Sequence, residues 1–157
     1  MEFSTDELTQ QVGRTARDFA IQYIKPNVSQ WDEDQEFPHE LFKELGKLGM
    51  MGIVVPEAYG GSGLSYTEYV TIIVEISKVC GGIGLSLAAH NSLCTGHILA
   101  FGNQQQKEKY LPALASGEAF GVTGFMEFSC AVDTPEYRKN IAIKGNMILW
   151  QAFIRES

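Results

Sequence analysis

The chain has 157 residues, enough for one domain with a real core, or for one domain plus part of a second. It is 45% apolar and 20% charged, an ordinary soluble mix, and its net charge of −7 argues against nucleic acid as a partner. Lys43 and Lys47 are diluted by Glu40 and Glu44, so no basic stripe forms, and no apolar run reaches the roughly 18 residues that membrane insertion requires. Cys80, Cys94 and Cys130 are odd in number with no CxxC pair, which reads as small buried thiols in a reducing compartment. Met1 is followed by Glu2, Asp6 and Glu7, unlike a secretory leader, so the expected location is cytoplasmic.

In chain order, Ser4 and Glu7 have the spacing of a capping box. Leu8, Val12, Ala16, Phe19 and Tyr23 then recur every three or four residues, which predicts one face of a helix ending at Pro26. Trp31 opens an acidic connection through Asp34. Pro38 suits the first turn of a second helix, with Leu41, Phe42, Leu45 and Leu48 inward and Gly49 as its stop. Ile53 to Pro56 reads as a short extended run, and Gly60, Gly61 and Gly63 mark a tight loop. Ser65 and Glu68 form a second capping box, ahead of a third helix with Tyr69, Ile72, Ile73, Ile76 and Val79 on its apolar face.

Gly81-Gly82 breaks that helix. The nearly all-apolar stretch from Ile83 to Phe101 predicts a helix buried on most sides, with Leu85, Leu93, Ile98 and Phe101 inside. Asn103 caps a further helix, and Gly117 lies past its end. The period then changes: Ala119–Phe125 reads as a strand, and Asn140–Ile143 and Met147–Ile154 as a hairpin around Lys144-Gly145-Asn146. The fold class is therefore mainly α, a helical domain over residues 1–117 joined to a small, partial β segment over 118–157. Residues 128–157 carry four Lys/Arg and three Asp/Glu, a local +1 against −8 for the first 127.

Few groupings in this order carry chemistry by themselves. The Gly60-Gly61-Ser62-Gly63 loop has backbone amides that suit a phosphate, but a turn needing positive φ explains it better. His90 and His97 share a helix face with Cys94 between them. No carboxylate joins them and seven residues separate the imidazoles, so a buried, hydrogen-bonded histidine is the better reading and no metal site is expected. Asp32, Glu33, Asp34 and Glu36 lack the EF-hand spacing and read as a solvated loop.

The motifs taken together resemble one family. Val55-Pro56-Glu57-Ala58-Tyr59-Gly60-Gly61 looks like the V-P-E-x-Y-G-G loop of the acyl-CoA dehydrogenases. Ala89-His90-Asn91-Ser92-Leu93-Cys94 resembles their fourth-helix segment beside the acyl chain, which implies substrate contacts at Ala89, His90 and Leu93. Phe101-Gly102-Asn103, Gln106-Lys107, Lys109-Tyr110-Leu111-Pro112 and Ala115-Ser116-Gly117-Glu118 are similar to the F-G-x-x-x-Q-K-x-x-Y-L-P-x-L-A-S-G-E run. The resemblance implies a helical domain, a β-domain and a four-helix domain, assembled as a homo-oligomer around FAD. It also implies α,β-dehydrogenation of an acyl-CoA thioester, in the cytoplasm or, for a processed form, the mitochondrial matrix. A carboxylate base takes the α-proton and the flavin accepts the β-hydride, while the protein orients both and excludes water.

The family's next motif, roughly G-[LV]-T-E-x-x-x-G-S-D, implies cofactor contacts from Thr123, Phe125, Met126, Glu127 and Val132, with Trp150 close to the flavin-stacking tryptophan. Gly124, Glu127 and Asp133 match. Met126 stands where a threonine hydrogen-bonds flavin, and Val132 stands where a serine hydroxyl meets the pyrophosphate. The resemblance implies no catalytic residue within these 157, because the base belongs to the C-terminal domain. Three readings follow: a truncated or fragmentary family member not competent alone, with FAD weakly held or absent; a non-catalytic helical module binding an acyl group or a partner chain; and a divergent or frame-disturbed tail after Glu127.

Overall fold

The computed structural model describes residues 6–121 and the backbones of two short strands at 141–143 and 148–150. Helix α1 (Glu7–Phe19) starts at Asp6, whose carboxylate accepts from the Thr9 amide at 2.8 Å; the predicted cap at Ser4 lies outside the described residues. Burying Ala20 and Ile24 carries the helix on through a π-helical turn, Ala20–Ile24, before Pro26 ends it. The acidic connection is itself a short helix, α2 (Val28–Asp34), closed by Gln35 in the left-handed region at φ 54°. Helix α3 (His39–Lys47) buries Leu41, Phe42 and Leu45, and Gly49 follows at φ 74° as the expected stop.

Residues 50–53 run through the core, tied by backbone bonds to the loop at 62–64. The Ser65/Glu68 capping box opens α4 (Tyr66–Ser77) as read. A single helical run then spans α5 (Gly81–Ala88), a π-helical segment (Ala89–Thr95) and α6 (Gly96–Phe101). Asn103 and Gln106 cap α7 (Gln104–Ala115) reciprocally. Helix α1 packs on α4, α4 on α5, and α6 on α7. The main core joins Phe19, Ile24, Phe42, Leu45, Met51, Ile53, Ile72, Ile76 and Leu87; a smaller cluster joins Val55, Leu111 and Ala115. The fold is mainly α, as the sequence implies. Strands β1 (Ile141–Ile143) and β2 (Ile148–Trp150) pair antiparallel with Ile143 opposite Ile148, while the predicted turn at Lys144-Gly145-Asn146 lies outside the described residues.

Four expectations are corrected. The inward face of α1 is Thr9, Gly13, Ala16 and Phe19, leaving Leu8 and Tyr23 exposed. Leu48 is likewise exposed. The 83–101 run is not buried on most sides: Leu85 is 71% and Phe101 66% exposed, and Leu93 and Ile98 are half-buried. Its inward line is instead Ile83, Leu87, His90, Asn91 and Thr95, because that face meets backbone carbonyls and amides needing polar partners. Residues 119–121 form no strand, since the Ala119 amide turns back to Ala113 O at 2.9 Å.

Candidate functional site

The π-helical segment Ala89–Thr95 is the polar hub of the described residues. Here the run's backbone bonds shift from i+4 toward i+5, which widens the turn and frees carbonyls. Side chains add bonds to the run's carbonyls: Thr95 Oγ1 donates to Asn91 O, which also accepts from the Gly96 amide, and Ser92 Oγ donates to Ala88 O, both side-chain bonds at 2.7 Å. His97 Nδ1 likewise donates to Leu93 O at 2.7 Å. Among the described residues no group of three His, Cys, Asp or Glu side chains is placed to hold a metal ion, and no helix is long and apolar enough to cross a membrane.

Two adjacent residues of the segment reach into the core. Asn91, fully buried, accepts from the Ile53 amide at 3.1 Å and donates to Met50 O at 3.0 Å and Leu87 O at 3.2 Å. His90, also 0% exposed, donates from Nε2 toward Met51 O at 3.0 Å and Leu114 O at 3.2 Å. Its Nδ1 accepts from the Gly121 amide at 3.0 Å, so the ring is the neutral Nε2–H tautomer. Burial drives its pKa down to about 4, against partial compensation from these backbone contacts.

The chain leaves the helical body against this ring. Phe120 stacks on His90, centroids 5.3 Å apart, and meets Phe42 edge-on at 4.7 Å and Phe37 at 5.2 Å. Gly121 lies so close to Cys94 that a Cβ there would stand 2.1 Å from Cys94 Sγ. Burial raises the Cys94 thiol to about 11, so it stays protonated and serves as packing.

A second polar seam joins α1 to α4. Buried Glu68 accepts from Thr9 Oγ1 and Ser65 Oγ, both at 2.5 Å, and from the Ser65 amide at 2.9 Å. These bonds, led by the Ser65 hydroxyl, hold its carboxyl at about 2. Glu75 accepts from Arg17 Nε at 2.8 Å and Lys78 Nζ at 2.6 Å, Arg17 foremost in bringing it also to about 2.

Of the residues proposed from sequence to contact substrate, Ala89 and Leu93 are half-buried on the π segment, and His90 lies behind them. Thr123, Phe125, Met126, Glu127 and Val132 lie outside the described residues. Trp150 is on β2, its backbone paired with Ile141. Sequence reasoning missed Asn91, Phe120 and Gly121 as partners of His90. An amide beside an imidazole in an otherwise apolar run was the signal for Asn91.

This layout of helices around a polar-cored fourth helical run has close counterparts. Residues 6–118 match the family described as acyl-CoA dehydrogenase, N-terminal domain, and the chain belongs to the acyl-CoA dehydrogenase family. It is 39% identical over 142 residues to isovaleryl-CoA dehydrogenase, mitochondrial, from Pongo abelii, covering 89% of this chain and 34% of that protein. Its fold is similar to the structure of butyryl-CoA dehydrogenase from Megasphaera elsdenii (TM-score 0.76, 32% identity, 83% of this chain and 35% of that one). It is also similar to acyl-CoA dehydrogenase complexed with FAD from Bacillus anthracis (TM-score 0.69, 36% identity, 73% and 20%). The chain spans about a third of the length of the curated relatives it matches.

Proposed function

We propose that this chain supplies the helical part of an FAD-dependent site for α,β-dehydrogenation of acyl-CoA thioesters. The match of residues 6–118 to the family, in order and in fold, is the observation that carries this reading. Within it, Ala89 and Leu93 line the acyl chain's path while His90 supports them from behind. Residues 118–157 begin the β-domain, and the working assembly is a homo-oligomer.

The chain's own donor set fits FAD only in part. Backbone amides from Thr123 to Glu127 suit the flavin edge, and Trp150 offers a ring for stacking. Met126 has no proton to donate and Val132 no hydroxyl, and each lost hydrogen bond to a charged group costs roughly 1.5–3 kcal/mol. FAD, the hydride acceptor of this chemistry, is therefore weakly held by residues 1–157, and these residues on their own do not turn over acyl-CoA. A positioned general base, worth roughly 10²–10⁴-fold, is not assigned among them.

Two experiments test the reading. A butyryl-CoA dehydrogenase carrying residues 6–118 of this chain in place of its own helical domain is expected to bind FAD and bleach with acyl-CoA. A folded, yellow chimera that does not bleach overturns the functional reading. Titrating FAD into the 157-residue chain, with flavin fluorescence as readout, is expected to give affinity weaker than about 1 µM. The Met126→Thr/Val132→Ser variant is expected to bind about tenfold or more tightly than that. Submicromolar binding by the unsubstituted chain, or acceptor reduction with any acyl-CoA, overturns weak binding and incompetence respectively.

A further inference from the structure

We propose that His90 is a positioning residue that fastens the chain's exit from the helical body, its Nδ1 fixing the Gly121 amide and so the direction in which the next segment departs. The consequence for flavin rests on the reading above, in which residues 123–127 meet the cofactor. Only Val122 separates Gly121 from Thr123.

The clasp has independent parts. The imidazole is anchored before it ever meets Gly121: Nε2 bridges Met51 O on the core-crossing segment and Leu114 O in the last turn of α7. That bridge fixes the tautomer, leaving Nδ1 an acceptor, and Gly121 supplies the matching N–H. Phe120 lies against the ring's face and is gripped on its other sides by Phe37 and Phe42. The residue after it has to be small, since Cys94 Sγ and Leu114 Cδ2 occupy the space of a side chain at 121. One buried ring thus ties together residues from α7, the 50–53 segment and the exit, an arrangement that core packing alone does not require.

The two ring nitrogens can be separated by substitution. Asparagine places its amide near Nδ1, and glutamine places its amide near Nε2. In His90→Asn the acceptor for Gly121 is kept and the bridge to Met51 and Leu114 is lost; in His90→Gln the reverse holds. The experiment is amide hydrogen exchange at Gly121 in the 157-residue chain and both variants, with FAD titration of each. Expected are Gly121 exchange at least tenfold faster in His90→Gln, near-native exchange in His90→Asn, and FAD affinity that follows Gly121 protection. The helical circular dichroism of each variant reports whether it has folded. If both variants fail to fold, His90→Phe and Gly121→Ala measured against each other keep the test open. The first removes the acceptor with the ring kept, and the second keeps the acceptor and displaces the amide. Both are expected to speed exchange at residues 120–121. Equal Gly121 protection in all folded chains overturns the proposal, as does FAD affinity that ignores a lost clasp. Exchange that changes as expected while no chain, the same set in the Met126→Thr/Val132→Ser background included, binds FAD leaves the clasp standing and removes the flavin reading instead.

Discussion

The α1–α4 seam and the π-segment hub solve the same problem with opposite chemistry. Both bury polar groups between helices. The seam does it with carboxylates kept ionised: Glu68 by hydroxyl and amide donors, Glu75 by two cations at the rim. The hub does it with neutral groups, an amide and an uncharged imidazole whose partners are almost all backbone. Charge survives at the seam because Arg17 and Lys78 reach water on their other side, at 54% and 58% side-chain exposure. At the hub His90 and Asn91 are fully buried, and a charge on either would meet the cost of desolvation.

The difference can be broken or sharpened in order of expected effect. Phe42 is the aromatic flank of the hub, stacked with Phe37 and edge-on to Phe120. Phe42→Ala is expected to lower unfolding free energy by roughly 3–5 kcal/mol in urea titrations, the range for a buried phenyl group. Next is Asn91→Ala, which strands the Ile53 amide and the Met50 carbonyl at once. At roughly 1–3 kcal/mol for each unsatisfied group, it should cost about 3 kcal/mol. A cost below about 1 kcal/mol would mean that the hub is wet.

Acid separates the two regions. His90 has an unfolded value near 6.5 and a folded value of about 4, so between them the unfolded chain holds more protons. Its contribution is whole above about pH 6.5 and drains away as pH falls toward 4, on the order of 3 kcal/mol by the shift. Glu68 and Glu75 fall from 4.5 to about 2, so theirs is whole above about pH 4.5 and is lost toward 2. Stability measured from pH 8 to 3 should therefore decline first through the hub, and His90→Asn should flatten the decline between 6.5 and 4 while leaving the lower limb. Glu75→Gln is expected to cost only about 1 kcal/mol, less in high salt, since its partners are largely solvated. The smallest effect belongs to Leu85→Ala, within roughly half a kcal/mol of wild type, because that side chain is 71% exposed.

Where the sequence was readable, a rule had a local cause. The Ser65/Glu68 box, the Asn103 cap and the Gly49 stop each depend on neighbours a few residues away, and each is present. Where the reading failed, the cause was a partner distant in sequence. Thr9, which the predicted apolar face of α1 does not include, is buried because Glu68 arrives from 59 positions on to satisfy it. Gly13, likewise outside that predicted face, is buried where α4 packs so near that a Cβ would meet Thr71 Cγ2 at 2.9 Å. The run through Leu85 and Phe101 reads as uniformly buried because hydropathy ranks leucine above asparagine. The structure puts Asn91 inside because bare carbonyls wait there. The site was half legible: the motif marked Ala89, His90 and Leu93, but nothing in its letters told that the histidine faces the backbone and the exit.

The widened turn at 89–95 also bears on how chain length can vary among relatives. A ladder closed at i+5 holds one residue more per ring than its flanks do, so a relative lacking a single residue just after Asn91 keeps an unbroken helix by reverting to α geometry. The same loss within α5 would rotate His90 and Asn91 out of the core together. Gaps in alignments of this region should accordingly cluster downstream of position 91, and a one-residue gap is there a change of helical pitch and not of architecture.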